Sequence, residues 1–324
     1  MKDIGIVGLP YSGKSTLFVA LTRSGAAGGR SNQAVVEVPD ERLGVLAEME
    51  KSKKVVPAKV RFVDVPGGLT AQGIAEFRQT DALAMVVRAF GDDANPKADL
   101  AALEAELVLA DLGSIESGVE KARKKAKGKD VVKGELETLE QAHELLDAER
   151  PLRDGSFDED ALKILRGYAP LTLKPWIVIA NVGEGDEKPA DIDAIAISAA
   201  LEAEVAGVEP NEAKELLAGF GIEEPGLDRV IEACYRALDL ITFLTTGEDE
   251  TRAWEVRRGA RAPEAAGAIH TDLQRGFIRA EVVGYDDLVA AGSWDAAKTK
   301  GQLRVEGKDY EVEEGDVLNI RFAV

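Results

Sequence analysis

The chain has 324 residues, with 40 Lys and Arg against 59 Asp and Glu, a formal net charge of −19. This excludes a surface attracted to phosphate backbones as a whole, so any nucleic-acid contact must come from a local basic patch. The single cysteine, Cys234, excludes an internal disulfide, and no run reaches the ~18 apolar residues of a membrane span, so a cytoplasmic protein of two or three domains is expected.

The chain opens on a buried-strand pattern, Ile4-Gly5-Ile6-Val7, without the basic segment and long apolar stretch of a signal peptide. A Gly-rich turn follows, then a helix from Ser15 to Thr22. Val60 to Val63, Ala82 to Val87, Pro175 to Ala180 and Ala194 to Ile197 are further strand candidates. Short apolar runs separated by helical patterns predict an α/β fold with a parallel, doubly wound sheet covered on both faces.

Between Val87 and Pro175 the pattern changes. Leu100, Leu103, Leu107 and Ala110, then Val108, Leu112, Ile115, Val119 and Ala122, repeat at helical spacing. After Gly128, Leu136, Leu139, His143 and Leu146 do the same, which predicts an antiparallel helical hairpin with His143 in its apolar seam. Its tip, Lys121-Ala122-Arg123-Lys124-Lys125-Ala126-Lys127-Gly128-Lys129, is basic. That suits a solvated helix end as well as a contact with RNA or an acidic protein. Cys234, in the run Val230-Ile231-Cys234-Leu238, reads as a core residue. His143 and His270 stand apart with no cysteine beside them, so no zinc site is expected.

From Asp239 onward, Ile241 to Leu244 and Ala253 to Val256 predict a hairpin around Gly247. Ala262 to Gln274 reads as one helix with Pro263 at its start and Gly276 at its close. Ile278 to Val283 alternates as a strand, and two short strands follow near Leu303 to Val305 and Leu318 to Phe322. The expectation is a small α+β module of ubiquitin-like size.

Gly8-Leu9-Pro10-Tyr11-Ser12-Gly13-Lys14-Ser15 fits G-x-x-x-x-G-K-[ST] in full, with a strand before it and a helix after it. Glycines let the backbone curl so that successive N–H groups face one anion, and the helix start adds its positive end. Pro10, Tyr11, Ser12, Gly13, Lys14, Ser15 and Thr16 are therefore the expected phosphate cradle. Lys14 is expected to reach the β- and γ-phosphates, and Ser15 to ligate Mg²⁺. Arg61-Phe62-Val63-Asp64 is a strand ending in an acid, followed by Val65-Pro66-Gly67. D-x-x-G here puts Asp64 near the metal and offers the Gly67 N–H to the γ-phosphate, so Lys14 and Gly67 are the catalytic candidates. The base is expected after the next strands. Asn181-Val182-Gly183-Glu184 stands where GTPases carry N-K-x-D, and its longer acid weakens the guanine fork. Ser198-Ala199-Ala200 fits the loop that closes over the base.

Together these residues resemble the YchF-type Obg-like ATPases of the translation-factor GTPase class, over nearly the whole chain. Ile6-Val7-Gly8-Leu9-Pro10 with Gly13-Lys14-Ser15-Thr16-Leu17-Phe18 looks like the family's opening, and so does Thr80-Asp81-Ala82 running into Val86-Val87-Arg88. Asn181, Val182 and Glu184 look like its N-x-x-E base motif, which in the family permits ATP. Arg252-Ala253-Trp254, Ala262-Pro263-Glu264-Ala265-Ala266-Gly267, Ile269-His270-Thr271-Asp272, Gly276-Phe277-Ile278-Arg279-Ala280-Glu281-Val282 and Glu306-Gly307-Lys308-Asp309-Tyr310 look like its TGS domain, a β-grasp module. The resemblance implies a Ras-like P-loop NTPase over residues 1–95 and 171–238, a helical insert over 96–170 and a TGS-like domain over 239–324. It also implies ATP hydrolysis, with GTP left open, Mg²⁺ as cofactor, and a ribosome or ribosomal RNA partner met through the hairpin tip and the TGS-like domain.

Three features depart from the family. Tyr11 replaces an Asn that in related GTPases helps place an activating potassium ion. The segment Gly25 to Val38 is short, with Ser31 as the nearest hydroxyl to the usual threonine, and the segment after Gly67 lacks the family's Gly-rich stretch. Gly68 and Leu69 follow where many GTPases place a water-orienting Gln, so slow turnover is expected. Two other readings stay open: a nucleotide-binding scaffold with little hydrolysis, and an RNA- or protein-binding module using Arg252, Arg257, Arg258, Arg261, Arg275 and Arg279 beside a vestigial nucleotide site.

Overall fold

Apolar runs buried on both faces become the middle strands of one sheet. The computed structural model describes residues 1–22, 32–65, 68–125, 134–208, 210–220, 222 and 225–323. In chain order come β1 (Lys2–Gly8), α1 (Lys14–Leu21), β2 (Asn32–Glu37), α2 (Arg42–Glu50), β3 (Val55–Val56), β4 (Lys59–Asp64), α3 (Ala71–Phe77) and β5 (Ala82–Ala89). Next are α4 (Pro96–Lys125), α5 (Glu135–Asp147), α6 (Glu159–Arg166), β6 (Trp176–Val182), β7 (Ile195–Ile197), α7 (Ala199–Glu204), α8 (Pro210–Gly219) and α9 (Gly226–Ala237). The last are β8 (Leu240–Thr245), β9 (Thr251–Arg257), α10 (Ala262–Ile269), α11 (Thr271–Arg275), β10 (Phe277–Gly284), α12 (Tyr285–Ala291), α13 (Trp294–Thr299), β11 (Arg304–Glu306) and β12 (Asp316–Phe322). These elements form two compact units: Lys2–Val35 with Arg61–Val230, and Met1, Val36–Val60 with Ile231–Val324.

The first unit is built on a six-stranded sheet of order β2-β4-β1-β5-β6-β7, with β1–β5, β5–β6 and β6–β7 parallel. Leu83, Met85 and Val87 point to one face and meet Phe77 of α3 and Leu103 and Leu107 of α4. Ile4, Ile6, Ala84 and Val86 are fully buried on the other face, where α1 packs on β1. This is the parallel α/β P-loop architecture expected from the sequence, although the edge strand β2 had no clear sequence signal.

The helical hairpin is α4 and α5, which share a core of Val108, Ile115, Val119, Ala122, Leu139, Ala142 and Leu146. α6 adds Leu165 to that core; the sequence reading placed no helix there, although Asp158 as its N-cap, acids in its first turn and Lys163 and Arg166 in its last were available signals. His143 is half-buried on α5. Residues 126–129 of the basic tip lie outside the described residues. Of those described, Arg123 and Lys125 already face Glu140 (2.8 Å) and Glu135 (3.9 Å) of α5. The root of the hairpin is tied to the sheet by Asp111 of α4, which is completely buried. It accepts from Arg78 Nη1 (2.9 Å), the Leu171 N–H (3.0 Å), and the N–H and Oγ1 of Thr172 (2.8 Å each). Arg78 also donates to the carbonyls of Ala110 and Ala169.

The second unit carries a sheet of order β11-β10-β12-β8-β9-β3. β8–β9, β10–β12 and β10–β11 are antiparallel, whereas β12–β8 is parallel. α10 covers one face with Ala262, Ala265 and Ala266 against Ile241, Phe243, Phe277, Ala280 and Val282. A parallel central pair flanked by two hairpins and crossed by one helix is the β-grasp. Two corrections apply here. The expected single helix from Ala262 to Gln274 is two helices, because His270 adopts extended backbone (φ −162°) and its Nδ1 caps α11 by accepting from the Asp272 N–H (3.2 Å). α12 and α13 also intervene between β10 and β11, where the sequence reading placed no helix.

The sixth strand of this sheet comes from far upstream. β3 pairs in parallel with β9, Val55 opposite Thr251 and Val56 opposite Arg252. Ser52 Oγ is hydrogen-bonded to the Thr251 hydroxyl and to the Gly247 carbonyl (2.7 Å each). Cys234 of α9 is fully buried and its surroundings push the thiol above its usual range, which agrees with a core role.

Candidate functional site

Four strands of the first sheet end at one place. β1 delivers Gly8, β4 delivers Asp64, β6 delivers Asn181 and β7 leads to Ser198, with β1 between β4 and β5 in the sheet. Ligands of open α/β sheets bind outside such carboxyl ends, where the chain runs off to opposite sides.

The loop from Leu9 to Gly13 is closed by the Ser12 N–H donating to the Leu9 carbonyl (3.3 Å), and α1 opens with the Leu17 N–H on Gly13 O (2.9 Å). Tyr11 (φ 67°) and Gly13 (φ 88°) are both left-handed, an alternation that turns successive N–H groups toward one anion. No side chain caps the start of α1, so its first N–H groups stay available. Gly13 is required by space as well as by φ: a Cβ there would lie 2.0 Å from Asn181 Nδ2. Asn181, nearly buried, donates from Nδ2 to the Ser12 carbonyl (3.0 Å) and accepts at Oδ1 from the Ala199 N–H (3.1 Å). One side chain thus joins the phosphate loop to the start of α7. Ser198 caps α7, its Oγ accepting from the Leu201 N–H (3.5 Å), while Ala199 is buried and Ala200 exposed.

Lys14 is half-buried and makes no hydrogen bond or ion pair among the described residues. Ser15 and Thr16 are exposed in the first turn of α1, and Asp64 is buried at the end of β4. Pro10 and Tyr11 form the outer rim of the loop, with Tyr11 89% exposed. Gly67 and Ser31 lie outside the described residues. Val182 is buried, and Glu184 is exposed on a turn that Asp186 holds by accepting the Gly183 N–H (3.0 Å). Sequence reasoning passed over Asp186; an Asp three residues after a loop glycine was the available signal.

Ser12 Oγ is buried without a hydrogen-bond partner among the described residues. An orphaned hydroxyl costs about 1–3 kcal/mol. Ser12→Ala is therefore expected to raise the melting temperature by about 2–4 °C. A lowered melting temperature would show that the hydroxyl has a partner.

The arginines considered for an RNA surface mostly carry acids. Arg252 faces Glu250 (3.5 Å), Arg258 faces Asp239 (3.3 Å), Arg261 faces Asp309 (3.0 Å) and Arg275 faces Asp272 (3.4 Å).

Residues 3–110 match the MMR_HSR1 model, described as a 50S ribosome-binding GTPase, and residues 240–323 match the YchF-GTPase_C model, described as a protein of unknown function (DUF933). The chain is 42% identical to a Pasteurella multocida protein named ribosome-binding ATPase YchF, over 99% of each. A Bacillus subtilis protein of the same name is 40% identical, again over 99% of each. The chain belongs to the YchF family. The alignment with the P. multocida YchF protein runs over 358 positions, more than the 324 residues present, so that relative carries segments this chain lacks. A solved YchF GTPase from Schizosaccharomyces pombe matches with a TM-score of 0.85 at 30% identity, over 99% of this chain and 97% of that one. A GTP-binding protein from Pyrococcus horikoshii, 21% identical with a TM-score of 0.61 over 99% of this chain and 100% of that one, shares the fold.

Proposed function

We propose that the chain is a nucleotide-dependent switch that binds ATP with Mg²⁺ in the Gly8–Thr16 loop, hydrolyses it slowly and associates with the ribosome. The observation that carries this reading is the phosphate loop itself. Its backbone is curled by two left-handed residues, its helix start is uncapped, and Lys14 stands beside it without a counter-charge among the described residues. Relatives that align over 99% of their length are named ribosome-binding ATPases, which supports ATP and the ribosome as ligand and partner.

The donor set suits Mg²⁺. Ser15 and Asp64 offer oxygen only, and no group of three or more metal-binding side chains gathers among the described residues. A hard cation that keeps waters and borrows phosphate oxygens needs no more from the protein. Bound there, it would neutralise developing charge on the phosphates. The backbone N–H groups of the loop bind and orient the triphosphate, and Lys14 balances the charge that grows on it in the transition state. The Gly67 N–H is assigned to the γ-phosphate. Asn181 holds the loop against the Ser198-Ala199-Ala200 turn, which with Val182 borders the base, and Glu184 reads the base edge. A Glu in place of Asp relaxes guanine selection, which admits ATP and leaves GTP open as a second nucleotide. Gly68 and Leu69 offer no side chain to orient water, which supports a slow rate and also favours a second reading, a scaffold with little hydrolysis.

Residues 1–95 and 171–238 are assigned to the NTPase domain, 96–170 to the helical insert and 239–324 to the TGS-like domain, with Val36–Val60 contributing to the β-grasp unit. Ribosome or ribosomal RNA contact is assigned to the hairpin tip and the TGS-like domain. No helix among the described residues is long and apolar enough to cross a membrane, and ribosome association supports a cytoplasmic location.

The test is calorimetric titration of nucleotide-free protein with non-hydrolysable ATP and GTP analogues and Mg²⁺, followed by single-turnover hydrolysis. Tighter ATP binding with slow, measurable turnover is expected. Binding without turnover would leave the scaffold, and a clear GTP preference would overturn the role given to Glu184.

A further inference from the structure

We propose that Gly73 is a positioning residue, which seats the backbone of Gly68 beside Lys14. Gly73 is the third residue of α3, buried, with its N–H on Thr70 Oγ1 (3.3 Å). Glycine inside a helix is less favourable than alanine by about 1 kcal/mol, and φ at Gly73 is not left-handed, so the backbone does not ask for it. Space does. A Cβ at Gly73 would lie 1.9 Å from the Gly68 carbonyl oxygen and 3.1 Å from its carbon, against the roughly 3.5 Å that non-bonded heavy atoms prefer.

Gly68 in turn is left-handed (φ 61°) and donates its N–H to the Val65 carbonyl (3.0 Å). A Cβ built on it points at Lys14 Cε and the Gly8 carbonyl, 3.9 Å from each. Gly73, Gly68 and Lys14 are therefore stacked with no side chain between them, and the missing Cβ of Gly73 sets how close the middle layer comes to the lysine. α3 cannot yield instead. Phe77 at its end is fully buried, and Arg78 is fastened by Asp111 and two carbonyls. A methyl at position 73 must be absorbed by the backbone at Gly68, through a shift on the order of 1 Å beside the group that meets the phosphates.

This inference rests on the ATPase reading. The test measures single-turnover ATP hydrolysis with Mg²⁺, affinity for a non-hydrolysable ATP analogue, and thermal melting. The variants are Gly73→Ala, Lys14→Arg, both together, and Gly113→Ala as control, since a Cβ at that helical glycine meets nothing within 4 Å. Gly73→Ala is expected to lose about a hundredfold in rate, with analogue affinity within about threefold. The double variant is expected to be no slower than Lys14→Arg, and Gly113→Ala to match the wild type. Wild-type turnover by Gly73→Ala, or a loss that adds in full to that of Lys14→Arg, would overturn the proposal. If Gly73→Ala does not stay folded, Gly68→Asn, a residue type that tolerates the left-handed φ of 61°, places a side chain toward Lys14 from a Cβ position that meets no atom of α3 within 4 Å. A similar loss is then expected, and an unchanged rate overturns the proposal. A wild-type chain that does not hydrolyse ATP defeats the ATPase reading and this inference together. A hydrolysing wild type with an unaffected Gly73→Ala defeats this inference alone.

Discussion

Lys14→Ala is expected to leave the fold intact and to lower single-turnover ATP hydrolysis by about a hundred- to a thousandfold, the range seen when one transition-state donor is removed. The two halves of this expectation have separate grounds. The Lys14 side chain makes no hydrogen bond or ion pair among the described residues, so its removal strands no partner among them. Such substitutions usually change stability by no more than about 0.5 kcal/mol. The Lys14 Cε lies near Gly68, 3.9 Å from where a Cβ on that residue would stand, beside the left-handed Gly13 and Tyr11 of the loop. A charge that the described residues leave unanswered there is available to the phosphates. Matching melts and a rate unchanged within twofold would remove Lys14 from the mechanism.

Asp111→Ala is expected to destabilise the first unit by about 3–5 kcal/mol, the usual result of breaking a buried pair from one side. The carboxylate answers four donors at once, and three of them belong to Leu171 and Thr172, which are fully buried. Arg78 would keep its charge at 16% exposure with only carbonyls for company, and the N–H groups of Leu171 and Thr172 would be stranded. A melting temperature lowered by about 10 °C is the expected reading. Faster amide exchange over residues 169–173 and a smaller loss in Asp111→Asn should accompany it. A variant that melts within 2 °C of the wild type would show that the hairpin root is held elsewhere.

The parts of the site that were legible in the sequence are those fixed by local spacing. Gly13, Lys14 and Ser15 follow one strand directly, Asp64 and Asn181 close others, and each lands at the same edge of the sheet. What stayed hidden depends on approach through space. Asp111 sits beside Leu112 on a helix rich in acids and reads as solvated, yet it is completely buried because Arg78 and two amide groups come to it from 33 to 61 positions away. Gly73 reads as a weak point in a short helix until the Gly68 carbonyl is seen against it. The arginines of the β-grasp unit read as an open basic patch, since their pairing with Glu250, Asp239, Asp309 and Asp272 is partly set by strand and loop geometry. β3 has only two residues, too few for any periodic signal, and its partner lies far downstream.

That last pairing bears on how the protein is made. Ser52 and Thr251 are 199 positions apart. At roughly 5–20 residues per second of synthesis, the Val36–Val60 segment waits on the order of 10–40 s for the strand it joins. β12, which lies between β10 and β8, is later still. The β-grasp unit therefore cannot close in the order in which its residues leave the ribosome, and the buried face of α2, with Leu43 and Leu46, must be kept from other partners until β9 and α12 have been added. A fragment begun at residue 239 would emerge with the edge of β9 bare, in the form most prone to pair with its own copies.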